Sequence, residues 1–451
     1  MPDSVPTTVV VPPAATPPPV PGGKSRASTA FRALKHRNFQ LFFSGQIVSL
    51  VGTWMQTVAE AWLLYRLTGS SVLLGVLGFV SQIPIFLLSP VAGLVADRWP
   101  RHRVVIATQS SSMILAFTLA TLTLSGRIRV WEIICLASLL GTVNAFDVPA
   151  RQSFLIQMVG REDLLNAIAL NSSMVNGARV AGPAIAGILV AMVGEGWCFL
   201  LNGLSYLAVI GGLLMMRVDK SKTAHDGVAP LEKFRQGFRF VRHTLPIRAL
   251  LLLLGLVSFM ALPFRVLMPI FAKSILGGGA SAYGTLMGAV GVGAMFGALV
   301  IALRQQLRGL GKVVAYSAMG LGASLVLFSA SRWYWMSLAA LVLSGFTMMM
   351  QFTSTNTLIQ AMVPDQLRGR VMSLYAMMFL GMMPIGSLLA GTLAEHIGAP
   401  ITVAIGGVAS MIGGAIFARK WPALRGSARE LVAAQGMISP LAPPDAAGPP
   451  A

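Results

Sequence analysis

Long apolar stretches alternate with short polar ones from residue 39 to residue 418. An α-helix needs about 20 apolar residues to cross the hydrocarbon core of a bilayer. Twelve stretches meet that length. They predict helices over residues 39–65, 73–96, 104–125, 130–150, 164–193, 197–217, 249–272, 282–303, 312–330, 334–362, 370–394 and 399–418. The expected fold is an all-α polytopic membrane protein with twelve transmembrane helices in two pseudo-symmetric six-helix bundles.

Composition supports the class. Hydrophobic residues make up 55% of the chain and charged residues 11%, where a soluble chain carries about 25% charged residues. The net charge of +19 would suggest nucleic acid in a soluble protein. Here topology accounts for it. Arg66, Arg127, Arg129, Lys273 and Arg332 lie in loops on one side, and Arg179 and Arg265 lie inside spans. The other basic residues fall in the tails and loops on the opposite side, which the positive-inside rule makes cytosolic. Both termini are therefore expected in the cytosol. The bilayer is the expected partner, and nucleic acid is not.

The organisation follows from the same alternation. Residues 1–30 and 421–451 read as disordered cytosolic tails rich in proline and alanine. Residues 31–217 form an N-terminal six-helix unit and residues 249–420 a C-terminal one. Between them, residues 218–248 form a cytosolic linker. Leu231, Phe234, Phe238 and Val241 share one helical face there, flanked by Lys233, Arg235, Arg239 and Arg242. That pattern suits a helix lying on the inner leaflet, with a partner-docking helix as the alternative. A shift of 204 residues aligns the fifth span with the eleventh without gaps: Gly182 meets Gly386, Gly187 meets Gly391 and Leu189 meets Leu393. A pseudo-two-fold repeat along the membrane normal gives this relation.

Several polar residues stand out against the apolar background. Residues 93–103 read G-L-V-A-D-R-W-P-R-H-R, with Gly93, Asp97, Arg98, Arg101 and Arg103. The arginines orient the flanking helices, but an acid adds little to topology. Asp147 ends the fourth span and has two possible partners: Arg101, or Arg151 one turn on. Glu60 lies inside the first span and is a functional candidate by default. The repeat sets it at the depth of Arg265. It either pairs, carries a proton, or snorkels to external water. Arg179 lies mid-span, one turn before Gly182 and Pro183. It pairs with Glu60, bonds carbonyls freed by the proline, or meets an anionic substrate. Gly177, Gly182 and Gly187 permit close helix contact. Gln46, Trp54, Gln351 and Asn356 are candidate lining groups of a substrate cavity. Met348, Met349, Met350, Met377, Met378, Met382 and Met383 suit a loosely selective apolar pocket or plain packing.

Other chemistries find no support. Gly311-Lys312 is followed by valine and lacks the upstream glycine of a phosphate-binding loop. Cys135 and Cys198 both fall in apolar runs and read as buried thiols. No cluster at metal-ligand spacing and no nucleophile–base pair is present, so neither a metal, another cofactor nor an enzyme is expected.

Residues 93–103 resemble the loop between the second and third helices of the major facilitator superfamily. The resemblance extends over about residues 31–420. It includes the lead-in Arg32 to Phe39, Thr53 to Thr57, Asn144 to Arg151, Asn166 to Ser173 and Gly177 to Gly187. These stretches are similar to the bacterial branch that holds the enterobactin exporter and macrolide-efflux proteins. The segment Val180-Ala-Gly-Pro183 resembles the fifth-helix signature of drug–proton antiporters. The resemblance implies export of an amphipathic organic compound across the plasma membrane by alternating access, in exchange for protons, with a single chain as the working unit. It implies that Gly93, Asp97, Arg98, Arg101, Arg103, Asp147 and Arg151 form a conformational latch, with the loop docking at the start of the eleventh helix in the outward-facing state. A static salt-bridge cluster is the alternative. It also implies that the first and seventh helices face each other across the central cavity. Glu60 and Arg265, at similar depth on them, are then expected to pair when the outer mouth closes, with a static pair or a snorkelling Glu60 as the alternative. A proton-independent facilitator or importer is the rival function. A membrane sensor would be expected to carry a folded signalling domain.

Overall fold

The computed structural model describes residues 31–160, 162–217, 230–304 and 309–435; for residues 89, 90, 93, 94, 96–98 and 230–234 it describes the backbone alone. Among the described residues, twelve helices are long and apolar enough to cross a membrane, and no strand occurs. The first six spans are Arg37–Thr68, Ser71–Arg98, Arg101–Leu124, Val130–Val159, Leu164–Val193 and Glu195–Leu214. The last six are Leu245–Ile275, Ala280–Leu303, Leu310–Ala330, Tyr334–Met362, Asp365–Ile397 and Ala399–Ala434.

The two halves repeat one packing scheme. In the first half the second span packs on the fourth and the third on the sixth. In the second half the eighth packs on the tenth and the ninth on the twelfth. The halves meet through the second span on the eleventh and the fifth on the eighth. Those two junctions exchange under the same pseudo-two-fold. At one end of the molecule lie the tight turns at Gly69, Gly194 and Gly398, each in the left-handed region that favours glycine. We call it the turn end. The opposite end carries the linker and both chain ends.

Three elements depart from the sequence pattern. The fourth span continues to Val159 with Pro149 inside it, because Phe154, Leu155 and Met158 are buried and hold the added turns. The twelfth runs to Ala434, well into the stretch expected as a disordered tail. Trp421 stacks on Phe417 with ring centroids 5.2 Å apart, and Ala428 and Val432 are buried, so that stretch has an apolar face to pack. The seventh span is not a continuous α-helix. It tightens at Leu262–Arg265, where Pro263 lacks an N–H, and widens into a π turn at Phe271–Ile275. The eleventh has its own π turn at Met377–Gly381.

A linker helix is present at Pro230–His243. Val241 is buried and Phe238 is 53% exposed, while Arg235, Arg239 and Arg242 face outward. Leu231, Lys233 and Phe234 lie among the residues whose side chains are not described, and the expected tails at 1–30 and from 436 onward lie outside the described residues altogether. Cys198 is buried as expected, but Cys135 is exposed and both thiols are free.

Candidate functional site

The site grows from the junction between the halves. At the turn end the helices come into backbone contact. A Cβ placed on Gly284 of the eighth span would lie 2.6 Å from Gly187 Cα and 2.4 Å from the Pro183 carbonyl. One placed on Gly391 would lie 2.7 Å from Gly75 Cα in the second span. Only glycine permits so close an approach. Gly187 and Gly391 are 204 residues apart, so the repeat supplies the same contact twice. Polar contacts reinforce it. Tyr65 and Ser274 hydroxyls lie 2.8 Å apart, and Trp62 stacks on Tyr283 at 5.9 Å. The Ser71 hydroxyl and N–H both donate to Glu395. Close glycine approaches between the halves extend to mid-span, at Gly291 on Arg179 and Gly381 on Phe86.

Just inside this seal sits Trp54. It is fixed from behind, because Gly182 leaves room for its Cβ at 2.5 Å from a would-be side chain. The Arg179 guanidinium carbon lies 5.3 Å from the indole centroid and that of Arg265 lies 5.9 Å from it. One arginine comes from each half. Neither forms an ion pair with any described acid, and Arg179 Nε is buried without a hydrogen-bond partner.

The expected Glu60–Arg265 pair is therefore not formed in this conformation, nor is a Glu60–Arg179 pair. Helix geometry gives the reason. Six residues separate Glu60 from Trp54, which turns Glu60 about 120° away from the indole. Glu60 instead lies one turn beyond Gln56, which accepts a hydrogen bond from Asn202 of the sixth span at 2.6 Å. Glu60 is buried inside the N-terminal bundle, and its Oε1 has no partner.

Asp147 has the opposite character. It is 3% exposed. Its Oδ1 accepts from Thr108 at 2.8 Å and from Gln109 at 2.9 Å, and its Oδ2 lies 3.3 Å from Arg151 Nε. Of the two possible partners, Arg151 holds it. Arg101 donates instead to the Ser153 carbonyl at 2.9 Å, and Arg103 is exposed. The side chains of Asp97 and Arg98 are not described, and Gly93 falls in the same stretch. The start of the eleventh span, where that loop was expected to dock, bears the linker helix. Arg370 donates to Gln236, and Gly237 packs on the Arg370 backbone.

The remaining cavity candidates divide. Gln46 is buried with Oε1 unpartnered, and Gln351 is buried with neither side-chain polar atom bonded. Gln351 occupies the repeat position of Asp147. Asn356 accepts from Gln360 on its own helix at 2.5 Å. Met348 and Met350 are buried, while Met377, Met378, Met382 and Met383 are half-buried around the second π turn. Gly177 packs against nothing within 4 Å, so close contact accounts for Gly182 and Gly187 but not for it. The sequence pattern did not single out Tyr65, Ser71, Gly75, Gly284 or Glu395. Only the repeat partnership of Gly187 and Gly391 pointed toward that end.

Comparison with known proteins adds three findings. A family model described as transmembrane secretion effector matches residues 28–442. The chain is 26% identical over 375 residues to the staphyloferrin A transporter of Staphylococcus aureus, covering 82% of this chain and 93% of that one. It is 22% identical to macrolide efflux protein A of Streptococcus pyogenes, over 81% and 92% of the two chains. It is 25% identical to the enterobactin exporter of Shigella boydii, over 79% and 85%. Among solved structures, a bacterial homologue of the lysosomal transporter Spinster in an inward-facing, unoccupied conformation superposes with a TM-score of 0.61 at 15% identity, over 91% and 99% of the chains. A POT family transporter in complex with 5-aminolevulinic acid superposes with a TM-score of 0.70 at 11% identity, over 86% and 96%.

Proposed function

Because the chain belongs to the transmembrane secretion effector family of major facilitator transporters, we propose that it exports an amphipathic organic compound across the cell membrane by alternating access, in exchange for protons. The observation that carries this reading is the one-ended seal. Two symmetry-related glycine junctions close the halves at the turn end, and the close approaches stop at mid-span. With both termini cytosolic, as the basic residues indicate, the sealed end faces outward and the cavity opens to the cytosol. The two six-helix units rock about this junction, and the linker helix lies on the inner leaflet. The path runs between the halves of one chain, so a monomer suffices.

The names of the macrolide-efflux and enterobactin-exporter relatives support an organic cargo moved outward. For the proton step the geometry favours Glu60 over Asp147. Asp147 is fully bonded, whereas Glu60 keeps a buried oxygen without a partner. Asp97, Arg98 and Arg101 act at the cytosolic end, with Asp147 and Arg151 as a standing pair beneath them.

The test is proton movement in proteoliposomes under an imposed pH gradient, with macrolides, catecholate siderophores and lipophilic cations added singly. Substrate-triggered proton flux is expected, and Glu60→Gln should abolish it while binding persists. Substrate equilibration without proton flux would replace the exchanger with a facilitator.

A further inference from the structure

We propose that Arg179, Arg265 and Trp54 form a binding site for organic anions, one that takes a carboxylate or phenolate attached to a flat aromatic body. The inference rests on the transport reading above and names its substrate class.

Two guanidiniums share one indole, and each comes from a different half. Both are permanently charged. An unpaired cation inside a span is costly, and such residues mark substrate paths. Here there are two, and no described acid lies within ion-pair distance of either. Glu60, the acid nearest in sequence to Trp54, is buried and forms an ion pair with neither arginine. At the seal, Glu195 is bonded to Arg66 and Glu395 to Ser71. Lys273 lies over Tyr65 and adds positive charge on that side.

Both guanidinium carbons lie within cation–π distance of the indole centroid, and each guanidinium carries five N–H donors along its edges. Those edges are suited to carboxylate or phenolate oxygens. Arg179 Nε, buried and unbonded, is one such donor. Arg179, Arg265 and Trp54 each keep some exposed surface, although Arg179 Nε itself lies beneath it. An anion that met both guanidiniums would offset the repulsion between two like charges and link the two halves. An aromatic body would lie along Trp54.

The test uses three probes with one aromatic body: naphthalene-2-carboxylate, 2-naphthamide and 2-naphthylmethylammonium. Binding to full-length protein in nanodiscs is measured by equilibrium dialysis. The carboxylate should bind ~10-fold or more tightly than the amide, the scale of one charge-assisted hydrogen bond. Arg179→Gln and Arg265→Gln should each cost the carboxylate ~10-fold and leave the amide unchanged. Arg265→Lys should recover part of the loss, because it restores charge. Equal affinity for carboxylate and amide, or no carboxylate binding, overturns the site. So does unchanged carboxylate binding in both Gln variants. If one variant misfolds, the other and Trp54→Ala carry the comparison. Transport is read separately in proteoliposomes. Carboxylate that binds but is never moved leaves the site intact and sinks the exporter reading. Export of the cation or amide in preference does the reverse.

Discussion

Glu395 accepts two hydrogen bonds from Ser71, from the hydroxyl at 2.6 Å and from the backbone N–H at 3.2 Å. The carboxylate ends the eleventh span, and the serine begins the second. The contact thus places a negative charge on the N-terminus of a helix in the other half, where exposed N–H groups and the helix dipole favour it. Glu395→Gln keeps the shape and removes the charge. The turn end should then open more often. Labelling of Ser387→Cys, buried in the junction, on a background lacking Cys135 and Cys198, should become faster. An unchanged rate would mean that the seal does not depend on this contact.

The glycine junctions make a steeper prediction. Gly284→Ala forces a methyl against the Pro183 carbonyl and Gly187 Cα. Overpacking of this kind costs about 1–3 kcal/mol, and the cost falls on the sealed conformation alone. Transport should fall while both bundles stay folded. Gly177→Ala meets nothing within 4 Å and should leave transport and the labelling rate as they are.

Asp147 and Arg151 should behave as a coupled pair. Asp147→Asn weakens three interactions at a buried carboxylate and should cost about 1–3 kcal/mol of stability. A thermal-unfolding double-mutant cycle with Arg151→Gln should show a coupling energy of about 0.5–3 kcal/mol. The same cycle with Arg101→Gln should be near additive, since Arg101 bonds the Ser153 carbonyl instead. Strong coupling to Arg101 would mean that the latch is formed in another conformation than this one.

Asp163 gives a pH prediction outside the membrane. It lies 2.9 Å from His36 and 3.3 Å from Arg32, and neighbouring Asn166 accepts from the Ala33 N–H at 2.9 Å. The hydrogen bond with His36 is the main cause that holds the Asp163 carboxyl below the usual carboxylate range, and Arg32 adds to it against some loss of solvation. A lowered folded value means that the stabilisation is present above the unfolded value of about 3.9 and fades as pH falls through the folded one. Asp163 should therefore contribute no pH dependence to docking of the lead-in between pH 5 and 8. Asp163→Asn should loosen residues 31–38 at neutral pH, read as faster hydrogen exchange there.

The twelve spans were legible because hydrocarbon thickness fixes a length that apolar runs must meet, and little else competes with that signal. The repeat was legible at Gly187 and Gly391 because backbone contact tolerates only one residue type. Side-chain pairing was harder to read. The repeat puts Glu60 and Arg265 at a similar depth, but depth does not specify rotation, and Glu60 lies about 120° around its helix from Trp54. Asp147 chose Arg151 because the two sit one turn apart on one helix, whereas Arg101 found a carbonyl first. The helical extension past residue 420 was hidden because Pro422, Gly426, Arg425, Arg429 and Glu430 break up its apolar run; in the fold Trp421 packs on Gly311.

The departures from regular helix in the described residues of the spans, at Leu262–Arg265, Phe271–Ile275 and Met377–Gly381, all lie in the second half. The first half keeps its spans α-helical through both Pro149 and Pro183. On the alternating-access reading, the wall that carries Trp54 and Arg179 is built from regular helix, and the wall that carries Arg265 and the half-buried methionines from helix whose hydrogen-bond ladder is interrupted. The pseudo-two-fold thus repeats the packing of the spans and not their backbone regularity.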